Sequence, residues 1–266
     1  MGGRMGLLVA SAALYSLCIS LPVVIVEQIT GFWSVMDRAA EGYLAMLANP
    51  TYEAANEWAM AWSGKLSLSV ATWLFMLVVP GPLELGLSAV WLRVLRGKEA
   101  FADMVFSGFG NFLRAMLLHL SRAIFVFLWS VLLVVPGVIA MYRYSLAFFL
   151  LADNPGMAPF AALTYSKYYM QGNKGNRFVL DLTFLGWAAL GAVLLSVASS
   201  AIIAGIDSSG HETGFFIQYL VSTLLGAVVI APLTAYRGVA CAEYYHRVIC
   251  RDPRSFPDKK GTHLLS

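Results

Sequence analysis

The sequence predicts an all-α bundle of about six membrane-spanning helices, several of them broken by proline. Three observations carry that prediction. Of 266 residues, 59% are hydrophobic and only 12% charged, with a mean hydropathy of +0.71. Soluble domains carry about 25% charged residues, and a core cannot absorb the surplus apolar side chains while the surface stays dissolved. Second, charge-free runs occupy Met5–Val26, Leu66–Leu83, Ala123–Tyr142, Leu182–Ile206 and Thr213–Tyr236, and a helix needs about 20 apolar residues to cross ~30 Å of hydrocarbon. Third, Lys and Arg fall on alternate sides of these runs, as positive-inside topology requires.

Taken in order, span one covers 5–27. Arg4 ahead of it resembles the start of a signal peptide, but the apolar part is too long and no small-residue cleavage site follows, so it reads as an uncleaved helix. Residues 28–65 form an outside loop, since Glu27, Asp37, Glu41, Glu53 and Glu57 outweigh Arg38 and Lys65. It has helical spacing, a turn at Asn49–Pro50, and Trp58 and Trp62 placed for an interfacial aromatic belt. Span two covers 66–95, broken near Pro80 and Pro82. Arg93, Arg96, Lys98, Arg114 and Arg122 then fall on the cytoplasmic side. Within that segment, Phe101, Met104, Val105, Phe109 and Phe112 share one α-helical face, which suits an interfacial helix.

Phe112 to Leu151 is 40 residues, about 60 Å of helix, or twice the hydrocarbon thickness. Basic residues flank both ends, so the chain crosses and returns, as spans 112–135 and 138–152. Pro136–Gly137 is the expected outer turn, because proline cannot donate a backbone bond and glycine tolerates positive φ. The returning arm is short for a full crossing. Asn154–Pro155 then reads as the opening of a further short helix. Lys167, Lys174 and Arg177 precede span five (177–206). The loop "GIDSSGHETG" has no Lys or Arg and lies outside, and span six (214–245) contains Pro232. A basic tail, 246–266, completes an arrangement with both termini cytoplasmic.

An internal repeat of helix pairs is suggested by "LVVPG" at Leu77–Gly81 and Leu133–Gly137, by "PL" at Pro82 and Pro232, and by "YR" at Tyr142 and Tyr236. Transporter folds often use such repeats.

From Pro80 to Trp187 the chain also carries a set of motifs. These include Gly81-Pro82-Leu83 with Leu85-Gly86-Leu87, Phe106-Ser107-Gly108-Phe109, and Trp129-Ser130 ahead of Pro136-Gly137. Further along come Ala152-Asp153-Asn154-Pro155, Ser166-Lys167 with Met170-Gln171-Gly172, and Phe184-Leu185-Gly186-Trp187. Together they resemble the bacterial integral-membrane family catalogued as domain of unknown function 975, with a looser likeness in the last span. The family typically has a basic residue shortly after the Pro-Gly, where this chain has Ala140, and a small residue where it has Arg143. The resemblance implies a multi-pass protein of the bacterial plasma membrane and supplies no catalytic residues.

The residues themselves announce no enzyme. There is no phosphate loop, nucleophile elbow or H-E-x-x-H. Only His246 and Cys250 share a helical face, short of the three or four ligands of a zinc site, so neither a metal nor a cofactor is called for. What remains is charge inside apolar spans, which is costly and marks a partner or a wet cavity. Glu84, Arg143 and Arg237 are therefore the candidate binding residues, for an amphiphile or ion. Asp181 reads as a local i, i+4 pair with Arg177. Arg93, Arg96, Arg122, Lys167 and Lys174 are candidate contacts to anionic lipid headgroups. The expected role is non-enzymatic: binding, moving or scaffolding amphiphiles, with membrane lipids, amphiphilic peptides or envelope proteins as partners and no nucleic acid. The alternatives are a secondary transporter of a small solute and an intramembrane enzyme. The sequence does not fix an oligomeric state.

Overall fold

A computed structural model describes residues 2–29, 41–63, 66–204 and 211–251, and among these there is helix and no strand. Among the described residues, six helical segments are long and apolar enough to cross a membrane: Arg4–Ile29, Thr72–Leu95, Ala102–Leu132, Val134–Asp153, Lys174–Ala198 and Leu220–Cys250. The expected basic tail beyond residue 251 and most of the loop at 205–214 lie outside the described residues.

Helix α1 (Gly2–Ile29) is apolar around its whole circumference and contains Pro22. Residues 41–48 are helical, the chain turns at Asn49–Pro50 as expected, and α2 (Tyr52–Ser63) follows. Helices α3 (Leu66–Val78) and α4 (Pro80–Leu95) meet at Val79, which keeps helical angles (φ −79°, ψ −38°). Pro80 stands at the first position of α4, where a missing N–H costs least. The break thus only interrupts an axis that carries on. Gly97, at φ +72°, ends α4 in the left-handed conformation, and the Lys98 N–H reaches back to the Arg93 carbonyl.

The segment expected as an interfacial α-helix is a 3₁₀ helix, Ala102–Asn111, and it doubles back along α4. A Cβ at Gly86 would come 1.9 Å from the Val105 carbonyl oxygen, and one at Gly108 would come 1.9 Å from that of Pro82. Two glycines, one on each side of the seam, therefore let two backbones touch. The predicted face is corrected accordingly. With three residues per turn, i and i+3 eclipse, so Val105 and Gly108 are buried while Phe106, Phe109 and Phe112 form an exposed ladder with ring centroids 6.3 and 6.2 Å apart.

Helix α5 (Phe112–Leu132) and helix α6 (Val134–Arg143) make the expected hairpin. The turn, however, lies at Leu133 (φ −163°, ψ 148°) and not at Pro136–Gly137. Pro136 falls in the first turn of α6, where proline is tolerated. Gly137 has no positive φ; its use is close approach, since a Cβ there would come 2.1 Å from the Ser130 hydroxyl oxygen. After a turn at Tyr144–Leu146, α7 (Ala147–Asp153) completes the returning arm. Asn154 caps the end of α7, and the next helix, α8 (Pro159–Tyr169), opens at Pro159 instead of Pro155.

Helix α9 (Lys174–Ala204) and helix α10 (His211–Arg251) pack along one another, and α10 also runs the length of α1. Pro232 does not break α10, which continues through it; a spanning helix can absorb the lost bond because neighbouring groups satisfy the freed carbonyl. Two buried clusters hold the bundle. One joins α4, α5, α7, α8 and α10 around Leu118, Leu150, Met170 and Tyr245, and the other joins α1, α4, the 3₁₀ segment and α10 around Leu8, Leu87, Val105 and Ala235. Helices α4 and α10 belong to both and tie the two clusters together.

Candidate functional site

Three of the candidate charges, Glu84, Arg122 and Arg96, are held in ion pairs along α4. The Arg122 guanidinium on α5 donates two hydrogen bonds to the Glu84 carboxylate, at 2.8 and 3.0 Å, and His119 Nδ1 lies 3.8 Å from the same carboxylate. Glu84 and Arg122 are about three-quarters buried, and the Arg122 guanidinium also sits 4.9 Å from the centroid of the Phe148 ring. Such a bidentate pair matches carboxylate and guanidinium geometry and leaves little of either free. Arg122, expected at lipid headgroups, is instead the partner of Glu84. At the far end of α4, Arg96 makes a second bidentate pair with Asp153 of α7, at 2.5 and 2.7 Å, while the Tyr245 hydroxyl donates to the same carboxylate at 2.8 Å. The hydrogen bond to Asp153 holds the Arg96 guanidinium above its already high range. Arg96 thus ties α4, α7 and α10 together.

Arg237 faces a different environment. Its Nε donates to Asp181 of α9 at 2.9 Å, and half of its side chain remains exposed. Asp181 is the residue expected to pair with Arg177, and it does approach Arg177 Nε at 3.6 Å, but its nearer contact is with α10. Arg177 is only 7% exposed in its side chain. Its Nε and Nη1 have no hydrogen-bond partner; the guanidinium neighbours the Cys241 thiol and lies 5.8 Å from the Tyr244 ring centroid.

Asp181 and Arg237 stand in the wall of an open groove of about 320 Å³ between α6, α9 and α10. The rest of the wall is apolar, with Met141, Phe178, Leu182, Leu185 and Leu233 among its residues, and Tyr142 packs edge-on against Phe178 beside the charged pair. The volume lies at the lower end of small-molecule sites. Chemically it is an amphiphile's complement, a wall for a chain and an ionic group for a head. A second groove, of about 540 Å³, opens elsewhere along α9 and α10 and is lined by Asn176, Thr183, Glu243, Tyr244 and Arg247.

The structure therefore distributes the three candidate binding residues. Glu84 is taken by Arg122, Arg237 by Asp181, and Arg143 lies 6.0 Å from the Trp129 ring centroid while its carbonyl accepts from Ser166. Of the expected headgroup residues, Lys167 is exposed and Lys174 half-buried, and Arg93 is exposed with its Nε bonded to the Glu99 carbonyl. His246 and Cys250 lie 3.8 Å apart, without a third ligand among the described residues. Sequence reasoning did not join Asp181 to Arg237. The two are charges of opposite sign in the last two spans, and the nearness of Arg177 in sequence drew Asp181 to it instead.

Residues 131–252 match the family described as "Protein of unknown function (DUF975)". That bears out the resemblance, although the match begins later than the first shared motifs and extends through the last helix. It contains every residue of the Asp181–Arg237 groove. No curated protein and no solved structure matches the chain.

Proposed function

We propose that this chain, with a domain of unknown function over residues 131–252 as its premise, is a non-enzymatic multi-pass protein that binds amphiphilic molecules and hands them on within the membrane. The observation that carries the reading is the groove between α6, α9 and α10, apolar along its walls and charged at Asp181 and Arg237. An amphiphile diffusing in the bilayer could enter such an open groove sideways, leaving no polar group stranded in hydrocarbon.

Two further features support binding over catalysis and over a sealed solute pathway. Glu84, Asp153, Asp181 and Glu243 are each held by an arginine, so none stands ready as a general base. The groove is also open to the lipid-facing side of the bundle, since Leu185 and Leu182 in its wall are more than half exposed. The basic residues Arg93 and Lys167 favour anionic headgroups as surface partners. By the distribution of Lys and Arg, we place both termini on the cytoplasmic side of a bacterial plasma membrane.

The test is native mass spectrometry of the gently purified protein with the bound species identified, for wild type, Leu185→Trp and Val193→Trp. Leu185 lines the groove, while Val193 is an equally exposed residue of the same helix that does not. A lipid or peptide that survives delipidation in wild type and Val193→Trp, and is lost in Leu185→Trp, is the expected result. Equal retention in all three proteins would place the bound species elsewhere and reject the groove.

A further inference from the structure

The charges at the groove do not balance. Asp181 and Arg237 are the charged residues of the described lining, and Arg177, buried behind Asp181 and outside the lining, adds a second positive charge against that single carboxylate. Asp181 divides its two oxygens unequally: Oδ1 accepts from Arg237 at 2.9 Å, while Oδ2 stays 3.6 Å from Arg177 Nε, beyond hydrogen-bonding distance. Arg177 pays for this arrangement with a side chain 93% buried and two nitrogens, Nε and Nη1, without an acceptor. Buried charges are normally paired and their donors satisfied. The Tyr244 ring offers a weaker contact and no acceptor.

We infer that the polar end of this groove is an oxyanion site, which takes a phosphate or carboxylate group on Arg237 and so releases Asp181 to Arg177. The inference rests on the amphiphile-binding reading and names the head that the groove selects. Arg237 is suited to the first contact because it lines the groove and its side chain is 51% exposed. Guanidinium presents a planar fork to such groups, and the resulting bonds are charge-assisted. Asp181 needs to close only the gap from 3.6 Å to normal hydrogen-bond length to satisfy Arg177. Two cations then face two anions, and the site that was one charge short is neutral. A cationic head would meet Arg237 with like charge, and a neutral sugar head would leave Arg177 as it was.

The test uses the full chain in neutral maltoside detergent with three probes: dodecyl phosphate, dodecyltrimethylammonium and inorganic phosphate. Each is titrated and the bound fraction read by native mass spectrometry, for wild type, Arg237→Gln and Leu185→Trp, with thermal unfolding of each variant recorded to show that it is folded. Dodecyl phosphate should bind wild type at least about tenfold tighter than dodecyltrimethylammonium. Arg237→Gln should shrink that preference to about twofold or less, and Leu185→Trp should displace both chains. If both dodecyl probes bind wild type equally and Leu185→Trp displaces both, the oxyanion inference is overturned while the amphiphile reading stands. If Leu185→Trp displaces neither, the amphiphile reading itself fails. Inorganic phosphate binding as tightly as dodecyl phosphate, and unaffected by Leu185→Trp, would assign the oxyanion site to the free ion and not to a headgroup.

Discussion

Two regions of this protein place acid and base inside apolar helices, and they do so to different ends. Between α4 and α5, one carboxylate meets one guanidinium through two hydrogen bonds, in a helix whose most apolar window is 50% buried. Between α9 and α10, one carboxylate is divided between two guanidiniums, in a helix whose corresponding window is 6% buried. The first arrangement uses charge as a fastener within protein. The second stands at the lipid-facing edge and remains incomplete. Ionisable side chains in a membrane are thus not functional merely because they are expensive; what distinguishes them is whether the surrounding helices have already satisfied them.

The largest effect that would break this contrast is expected at Glu84. Glu84→Leu leaves Arg122 buried without its anion and should cost about 3 kcal/mol of stability, read as a lowered unfolding transition in detergent. The double variant Glu84→Leu with Arg122→Leu should recover most of that loss. A double variant as unstable as the single would show that the two residues are not a fastener. An intermediate effect is expected where α4 touches backbone. Gly86→Ala drives a methyl into the Val105 carbonyl and should cost about 2 kcal/mol, whereas Gly191→Ala on α9, which has nothing within 4 Å, should leave stability unchanged or slightly raised. The smallest effect is expected at Arg237. With half its side chain exposed, Arg237→Gln should change stability by less than about 1 kcal/mol. A loss comparable to that of Glu84→Leu would place the α9–α10 pair among the fasteners and remove the distinction.

The spans were legible in the sequence because bilayer thickness sets a length that composition can be checked against. Helix pairing was partly legible: Phe112–Leu151 is too long for one crossing, so a hairpin was required. Its turn was misplaced by a few residues because Pro136–Gly137 looks like a turn in any solvent, while an extended leucine does not. The two "LVVPG" copies show how little five letters decide. In the first, Val79 stays helical and the axis continues; in the second, Leu133 is extended and the chain reverses. Neighbours account for the difference, since Gly81 packs against Ala115 and His119 of α5, whereas Gly137 packs against Ser130 of the preceding arm. The 3₁₀ segment was misread for a related reason. Its phenylalanines fit a period of 3.6 nearly as well as a period of three, and only the Gly86–Val105 and Gly108–Pro82 contacts decide between them. Arg122 carries no mark in the sequence of its pairing with Glu84, 38 residues away. At the end of an apolar run it looks like any interfacial arginine.

A hairpin that turns on one extended residue carries no hydrophilic cargo at its tip. Leu132, Leu133, Val134 and Val135 are all more than two-thirds exposed, and none is polar. The backbone there is largely satisfied: the Leu133 N–H donates to Trp129, the Leu133 carbonyl accepts from Gly137, and Pro136 has no N–H to satisfy. Little work is therefore needed to push this tip into hydrocarbon, and nothing obliges it to emerge into water on the far side. Helices α5 and α6 can enter a bilayer together from one face during synthesis. Their flanks then keep the side on which they started, with no loop to be hauled across.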